Sequence, residues 1–226
     1  MNQSCSTKIK ICGITTAKDA LAAIDAGADF LGLIFVESSP RCVKEAAAKE
    51  IIAAVEGRAQ LVGVFKNQAH EFVDEISQRL ALDYIQCHGN ESVDYVRNLH
   101  TKAIKVIEIE GLNSSGAYDK EPLDDSRKWA DAANYLLIDR PKTLSDELWY
   151  MNAARQILQL LPISLPYFFA GGLNAQNVGW VVKTLHPFAV DVASSVESAP
   201  GVKDAAKMID FCNMVRNAQG ETSCAP

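Results

Sequence analysis

KIKICGITTAKDALAAIDAGADFLGLIFV, residues 8–36, decides the fold. Its two ends, KIKICGI (8–14) and FLGLIFV (30–36), are short apolar runs rich in β-branched and aromatic residues, and each reads as a strand. Between them AKDALAAIDAGA (17–28) repeats its apolar residues at three- and four-residue spacing, the pattern of a helix with one buried face. Thr15 or Thr16 stands ahead of it as the N-cap. A crossover of this length brings the second strand back parallel to the first.

The unit then recurs to the end of the chain. Further strands are expected at AQLVGVFK (59–66), YIQCHG (84–89), AIKVIEI (103–109), YLLIDR (135–140), YFFAGG (167–172) and AVDVASS (189–195). The eight starts lie 19 to 32 residues apart, the length that one strand, one helix and two loops require. Helical spacing returns in AAKMIDFCNMVR (205–216), and Asn174 is the expected cap before the seventh helix. Strict alternation argues for a parallel sheet with helices outside it. Eight units in 226 residues point to a closed (β/α)8 barrel, a single α/β domain over residues 1–226, with fraying expected after Arg216. The polar stretch EGLNSSGAYDKEPLDDSRK (110–128) reads as a surface loop leading into a fifth helix.

Charge and composition exclude several classes. Lys and Arg total 22 against 28 Asp and Glu, a net charge of -6, so no global positive field recruits nucleic acid or anionic lipid. Any anionic ligand needs a locally cationic pocket. No apolar run approaches the roughly 18 residues of a membrane helix. The opening MNQSCSTKIK lacks the apolar region of a signal peptide, and a cytoplasmic location is expected. The six cysteines (Cys5, Cys12, Cys42, Cys87, Cys212, Cys224) form no CxxC spacing, so they read as reduced thiols and no metal site is assigned. Nothing in the sequence demands more than a monomer.

In a barrel of this kind the C-terminal ends of the strands and the loops after them build the site. That rule selects Cys12, the segment ending at Arg41, Phe65 to Asn67, Gln86 to His88, Lys105 to Glu108, Asp139, Gly171 with Gly172, and Asp191 to Ser195. By residue type alone Cys12 also suits a small buried hydrophobe, Asp139 a cap or salt bridge, and Arg41 a solvated surface position.

Six ordered segments carry a resemblance. KICGIT (10–15), AGADFLGLIF (26–35) followed by SPR (39–41), VGVFKNQ (62–68), QCHGNES (86–92), AGGLNAQNV (170–178) and AVDVASSVESAPGVKD (189–204) resemble the phosphoribosylanthranilate isomerases of tryptophan biosynthesis along nearly the whole chain. That resemblance implies the same barrel and an Amadori rearrangement of an aminoaldose to a 1-deoxyketose. The reaction needs an acid to protonate the ring oxygen as the furanose opens to a Schiff base, and a base to remove the proton on C2. It needs no cofactor, because the iminium nitrogen is the electron sink. Cys12 matches the family's general base and Asp139 its general acid. Arg41 matches the arginine that pairs with the anthranilate carboxylate, a planar bidentate fit. His88 and Asp191 resemble other pocket residues. Gly171, Gly172, Ser194 and Ser195 are the implied phosphate contacts, where loops seven and eight present backbone N–H groups.

Three departures stand out. Family members commonly follow the strand-six acid with Gly-Gly-Thr-Gly and then Phe-Asp-Trp, whereas here RPKTLSDELWY (140–150) keeps only Trp149. Arg140 is placed either to pair with substrate anions or to lower the pKa of Asp139. The usual Ser-Ser-Gly after strand eight is Ala193-Ser194-Ser195, and QCHG replaces the commoner QLHG. Two other functions share the fold: another sugar-phosphate isomerase, and a non-catalytic barrel that binds a phosphorylated ligand. A bifunctional relative acting on a histidine-pathway aminoaldose is expected to use a pair of aspartates, where this first strand presents Cys12.

Overall fold

The computed structural model describes residues 6–108, 128–139 and 165–220. Within them eight parallel strands close into a barrel in sequential order. They are β1 (Lys8–Cys12), β2 (Phe30–Ile34), β3 (Gln60–Phe65), β4 (Tyr84–Cys87), β5 (Lys102–Glu108), β6 (Tyr135–Asp139), β7 (Tyr167–Phe169) and β8 (Ala189–Val192). Seven lie inside the run that the sequence marks for them, and β5 begins one residue before its run, at Lys102. Closure is the pairing of β1 with β8, which sets Lys10 opposite Asp191 in the sheet.

Helices α1 (Ala17–Ala26), α2 (Glu45–Val55), α3 (His70–Arg79), α4 (Val93–Arg97), α5 (Val178–Leu185) and α6 (Ala205–Gly220) pack outside the strands. Thr16 caps α1, its hydroxyl accepting from the Asp19 N–H, and Gly27 ends that helix in the left-handed conformation. Asn174 caps the turn that enters α5, its carboxamide oxygen accepting from the Gln176 and Asn177 N–H groups. The last helix does not fray at Arg216. It runs on to Gly220, with Val215 and Ala218 buried against the barrel, because its apolar spacing continues past the arginine. The stretch expected as a surface loop, 110–128, and the 140–150 segment lie outside the described residues except for Lys128.

Side chains alternate across the barrel wall, as the two-residue period of a strand requires. Outward-facing residues such as Ile9, Ile11, Leu31, Leu33 and Val190 join the helices in the main core. Inward-facing Phe30, Val62, Tyr84, Ile104, Leu137, Phe168 and Ala189 form a second cluster. Its floor is aromatic: Phe30, Tyr84, Tyr135, Phe168 and Phe188 meet with ring centroids 4.7 to 6.2 Å apart. This plug lies at the N-terminal ends of the strands. Polar inward-facing side chains therefore collect at the other end, where Lys10 and Cys12 of β1 and Asp191 of β8 follow one another up the wall.

A short hairpin, β9 (Glu197–Ala199) and β10 (Val202–Lys203), follows β8 and folds over the same rim. The Thr15 hydroxyl donates to the Gly201 carbonyl, tying the hairpin to the loop after β1.

Candidate active site

The open end of the barrel holds a cavity of about 470 Å³. Cys12, Arg41, His88, Asp139, Gly171, Gly172, Asp191 and Ser194 all line it, although they come from seven different loops or strand ends. Eight of the nine residues singled out from sequence thus meet in one place. Ser195 is the exception, for its hydroxyl turns away and donates to the Leu173 carbonyl at 2.5 Å, joining the loops after β7 and β8.

Cys12 ends β1 and is 7% exposed. Burial pushes its thiol above the ordinary range, Asp191 adds to that, and Lys10 and Lys203 pull the other way. Lys10 is wholly buried, donates to Asp191 Oδ2 at 2.9 Å and shares the inward face of β1 with Cys12, two residues away. Burial works against its charge, but Asp191 and Cys12 outweigh that and hold it as an ammonium.

Asp139 ends β6 on the facing side, where its carboxylate lies 3.7 Å from His88 Nε2. The same nitrogen is 3.6 Å from Glu108, the residue opposite Asp139 on β5. His88 Nδ1 in turn meets the Gln86 carboxamide nitrogen at 3.3 Å. His88 also borders a neighbouring cavity of about 540 Å³ above β5.

Arg41 reaches over the rim from the loop after β2. Its Nε and Nη2 donate to the two oxygens of Glu197 at 2.8 and 2.6 Å. Lys203 donates to the same carboxylate at 2.9 Å and to the Ala193 carbonyl. Burial alone would push the Glu197 carboxyl up. Hydrogen bonds from Arg41 and Lys203 and their charges outweigh it and hold it below the ordinary glutamate range. The arginine expected to meet a ligand carboxylate is thus already half engaged within the protein, with Nη1 outside the fork.

Across the cavity the chain turns through Gly171 and Gly172, both with positive φ (91° and 74°), a conformation that costs other residues about 1 kcal/mol or more. Among the described residues no protein acceptor takes the N–H groups of Gly171, Gly172 or Ser194. Donors of this kind facing one cavity suit an oxyanion such as a phosphate. Two buried acceptors on the same walls, Gln86 Oε1 and Asp191 Oδ1, have no donor among the described residues, and both suit hydroxyl groups of a bound molecule. Among the described residues no group of three or more His, Cys, Asp or Glu side chains is arranged to hold a metal ion.

Lys10, Glu197 and Lys203 were not singled out from the sequence. Lys10 had a signal, since it shares strand parity with Cys12 and must face inward if the cysteine does. Glu197 and Lys203 lie in the family-like stretch 189–204 but offered no local signal of their own, because charged residues in a polar hairpin look like surface.

A barrel rim with a thiol, a carboxyl group, an arginine and backbone donors around one polar cavity defines an enzyme of the (β/α)8 class whose site suits a small anionic ligand. Residues 9–214 match the family model for N-(5'-phosphoribosyl)anthranilate (PRA) isomerase. The chain is 37% identical over 217 residues to the N-(5'-phosphoribosyl)anthranilate isomerase of Geobacter sulfurreducens, covering 94% of this chain and 98% of that one. It superimposes on the crystal structure of phosphoribosyl anthranilate isomerase from Thermotoga maritima with a TM-score of 0.81 at 26% identity, covering 93% and 99% of the two chains. A phosphoribosyl anthranilate isomerase in complex with reduced 1-(o-carboxyphenylamino)-1-deoxyribulose 5-phosphate matches with a TM-score of 0.77 at 26% identity over the same shares. The chain belongs to the N-(5'-phosphoribosyl)anthranilate isomerase family.

Proposed function

We propose that the chain isomerises N-(5'-phosphoribosyl)anthranilate to 1-(2-carboxyphenylamino)-1-deoxyribulose 5-phosphate in tryptophan biosynthesis, with Asp139 as general acid and Cys12 as general base. The observation that carries this reading is the convergence of Cys12 and Asp139, 127 residues apart in the chain, on one cavity whose rim presents both cationic and backbone N–H donors. Asp139 gives its proton to the furanose ring oxygen as the C1–O bond breaks and the anilino nitrogen forms the iminium. Cys12 then takes the proton from C2, and the C–H electron pair moves into C1–C2 while the iminium is neutralised. Ketonisation of the resulting enol gives the product.

The residues fit the three polar ends of the substrate. Backbone N–H groups of Gly171, Gly172 and Ser194 suit the phosphate, Nη1 of Arg41 suits the anthranilate carboxylate, and Asp191 and His88 suit the sugar hydroxyls. No described helix is long and apolar enough to cross a membrane. A cytoplasmic location accords with a freely diffusing sugar phosphate as substrate.

The test is direct. Purified protein added to freshly generated phosphoribosylanthranilate is expected to accelerate the loss of its fluorescence. A folded protein that leaves the spontaneous rate unchanged refutes the isomerase reading and favours a barrel that only binds a phosphorylated ligand.

A further inference from the structure

We infer that Lys10 is a positioning residue that sets the charge state of Cys12, and that Asp191 acts on the same thiol in the opposite sense by competing for the Lys10 ammonium. The inference rests on Cys12 as the base of the proposed reaction. Its foundation is a row of three inward-facing groups: Cys12 and Lys10 are two residues apart on β1, and Asp191 is the residue paired with Lys10 on β8.

A lysine is almost never fully buried without a partner, and Lys10 is at 0% exposure. Stability alone does not account for it. A buried ion pair is often replaceable by apolar residues without loss, so its presence at a barrel rim calls for another role. An ammonium has three donors, and here one is spent on Asp191 Oδ2 at 2.9 Å, while Cys12, two residues on along the same face of β1, is the next inward-facing group above it. Asp191 Oδ1, meanwhile, receives no donor among the described residues. Lys10 thus stands between the carboxylate that holds it and the thiol above it.

The charges around the thiol point the same way. Facing it are Lys10 from β1, Asp191 from β8 and Lys203 from β10, with Arg41 and Glu197 beyond, and His88 and Asp139 across the cavity. Glu197 serves both Arg41 and Lys203, and Asp191 serves Lys10. On this side of the cavity three cations share two carboxylates, and a Cys12 thiolate supplies the third negative charge. Burial raises the thiol, Lys10 is the largest charge that lowers it, and Asp191 raises it.

The experiment reads the thiol without turnover. Wild type, Lys10→Gln and Asp191→Asn are alkylated with iodoacetamide from pH 6 to 10, and the rate is followed at the Cys12 peptide by mass spectrometry, with folding checked by circular dichroism. Lys10→Gln is expected to slow alkylation at pH 8 by about tenfold, one unit of thiol titration, and to displace its pH midpoint upward. Asp191→Asn, which is nearly isosteric and leaves the ammonium to Cys12, is expected to move the midpoint downward. Two midpoints displaced in the same direction, or neither displaced, overturn the inference and leave Lys10 and Asp191 as a structural pair. The ascending limb of kcat/KM against pH is measured on the same variants. Opposite shifts in alkylation with an unmoved limb uphold the control of Cys12 by Lys10 but remove Cys12 from the role of base.

Discussion

Arg41 grips Glu197 through two nitrogens, at 2.8 and 2.6 Å, across 156 residues of chain. The fork holds the guanidinium at the cavity rim before any ligand arrives, so its rotamer freedom is largely lost in advance. Arg41→Ala is expected to raise the Michaelis constant about tenfold or more, the scale of one charge-assisted hydrogen bond, with a smaller effect on kcat. An unchanged Michaelis constant would remove Arg41 from carboxylate binding.

Glu197 also makes the fold sensitive to acid. Its carboxyl is held below the ordinary range, so the stability it contributes is present above the pH at which an unfolded glutamate titrates, about 4.3, and is lost as pH falls through the lower folded value. The melting temperature should drop between pH 5 and 3 by less in Glu197→Gln than in wild type. Thermal unfolding followed by circular dichroism across that range decides it, and parallel curves would contradict the assignment.

Cys12→Ser and Asp139→Asn should each lower turnover at least about a hundredfold, the lower end of what a general acid or base supplies. Because burial raises the Cys12 thiol, kcat/KM in the wild type should climb as pH rises from 7 toward the alkaline side. A flat profile there, or a near wild-type rate in Cys12→Ser, would count against the thiolate.

Gly32 is the neighbour of Cys12 on β2, and a Cβ placed there would meet the Cys12 sulfur at 2.6 Å and its Cα at 3.0 Å. The sheet cannot yield on the backbone side, so the thiol must move. Gly32→Ala is expected to cost about 1–3 kcal/mol of stability and to lower kcat/KM about tenfold or more, because an ångström of displacement is enough to spoil proton transfer. Full activity in this variant would show that the sulfur has room to spare.

Lys105 and Glu91 form a further buried pair at 2.7 Å, and the Glu91 carboxylate also accepts from the Asn67 and Gly89 N–H groups. They pin the loops after β3 and β4 to β5, just outside the wall that carries His88. Glu91→Gln leaves the Lys105 ammonium buried without its counter-charge, and a loss of about 3 kcal/mol is expected in urea unfolding. A loss below about 1 kcal/mol would mean that Lys105 finds its partners in the Gly89 and Cys87 carbonyls.

Much of this architecture is legible without coordinates. KIKIC, FLGLI and YLLID announce strands because apolar runs of that length, each followed by a helical period, have few other ways to bury themselves. Cys12 and Asp139 are identifiable because they end two such runs, and a barrel gathers strand ends. Ser195 shows the limit, for its neighbour Ser194 faces the cavity while its own hydroxyl is used inside the protein. Which of two adjacent serines points inward depends on the turn after β8, and the spelling Ala-Ser-Ser does not specify it.

Residues 8–36, read alone, already require a parallel strand–helix–strand unit, and its eightfold recurrence requires the barrel and the end at which chemistry occurs. Those conclusions depend on periodicity, which is local and survives in the unfolded chain. The partners of the charges do not. Lys10 meets Asp191 across 181 residues and Arg41 meets Glu197 across 156, contacts that exist only once β1 closes on β8 and the hairpin folds over the rim. Closure brings the buried cations, their carboxylates and the Cys12 thiol together in a medium of low dielectric, where position decides which of them carries a charge.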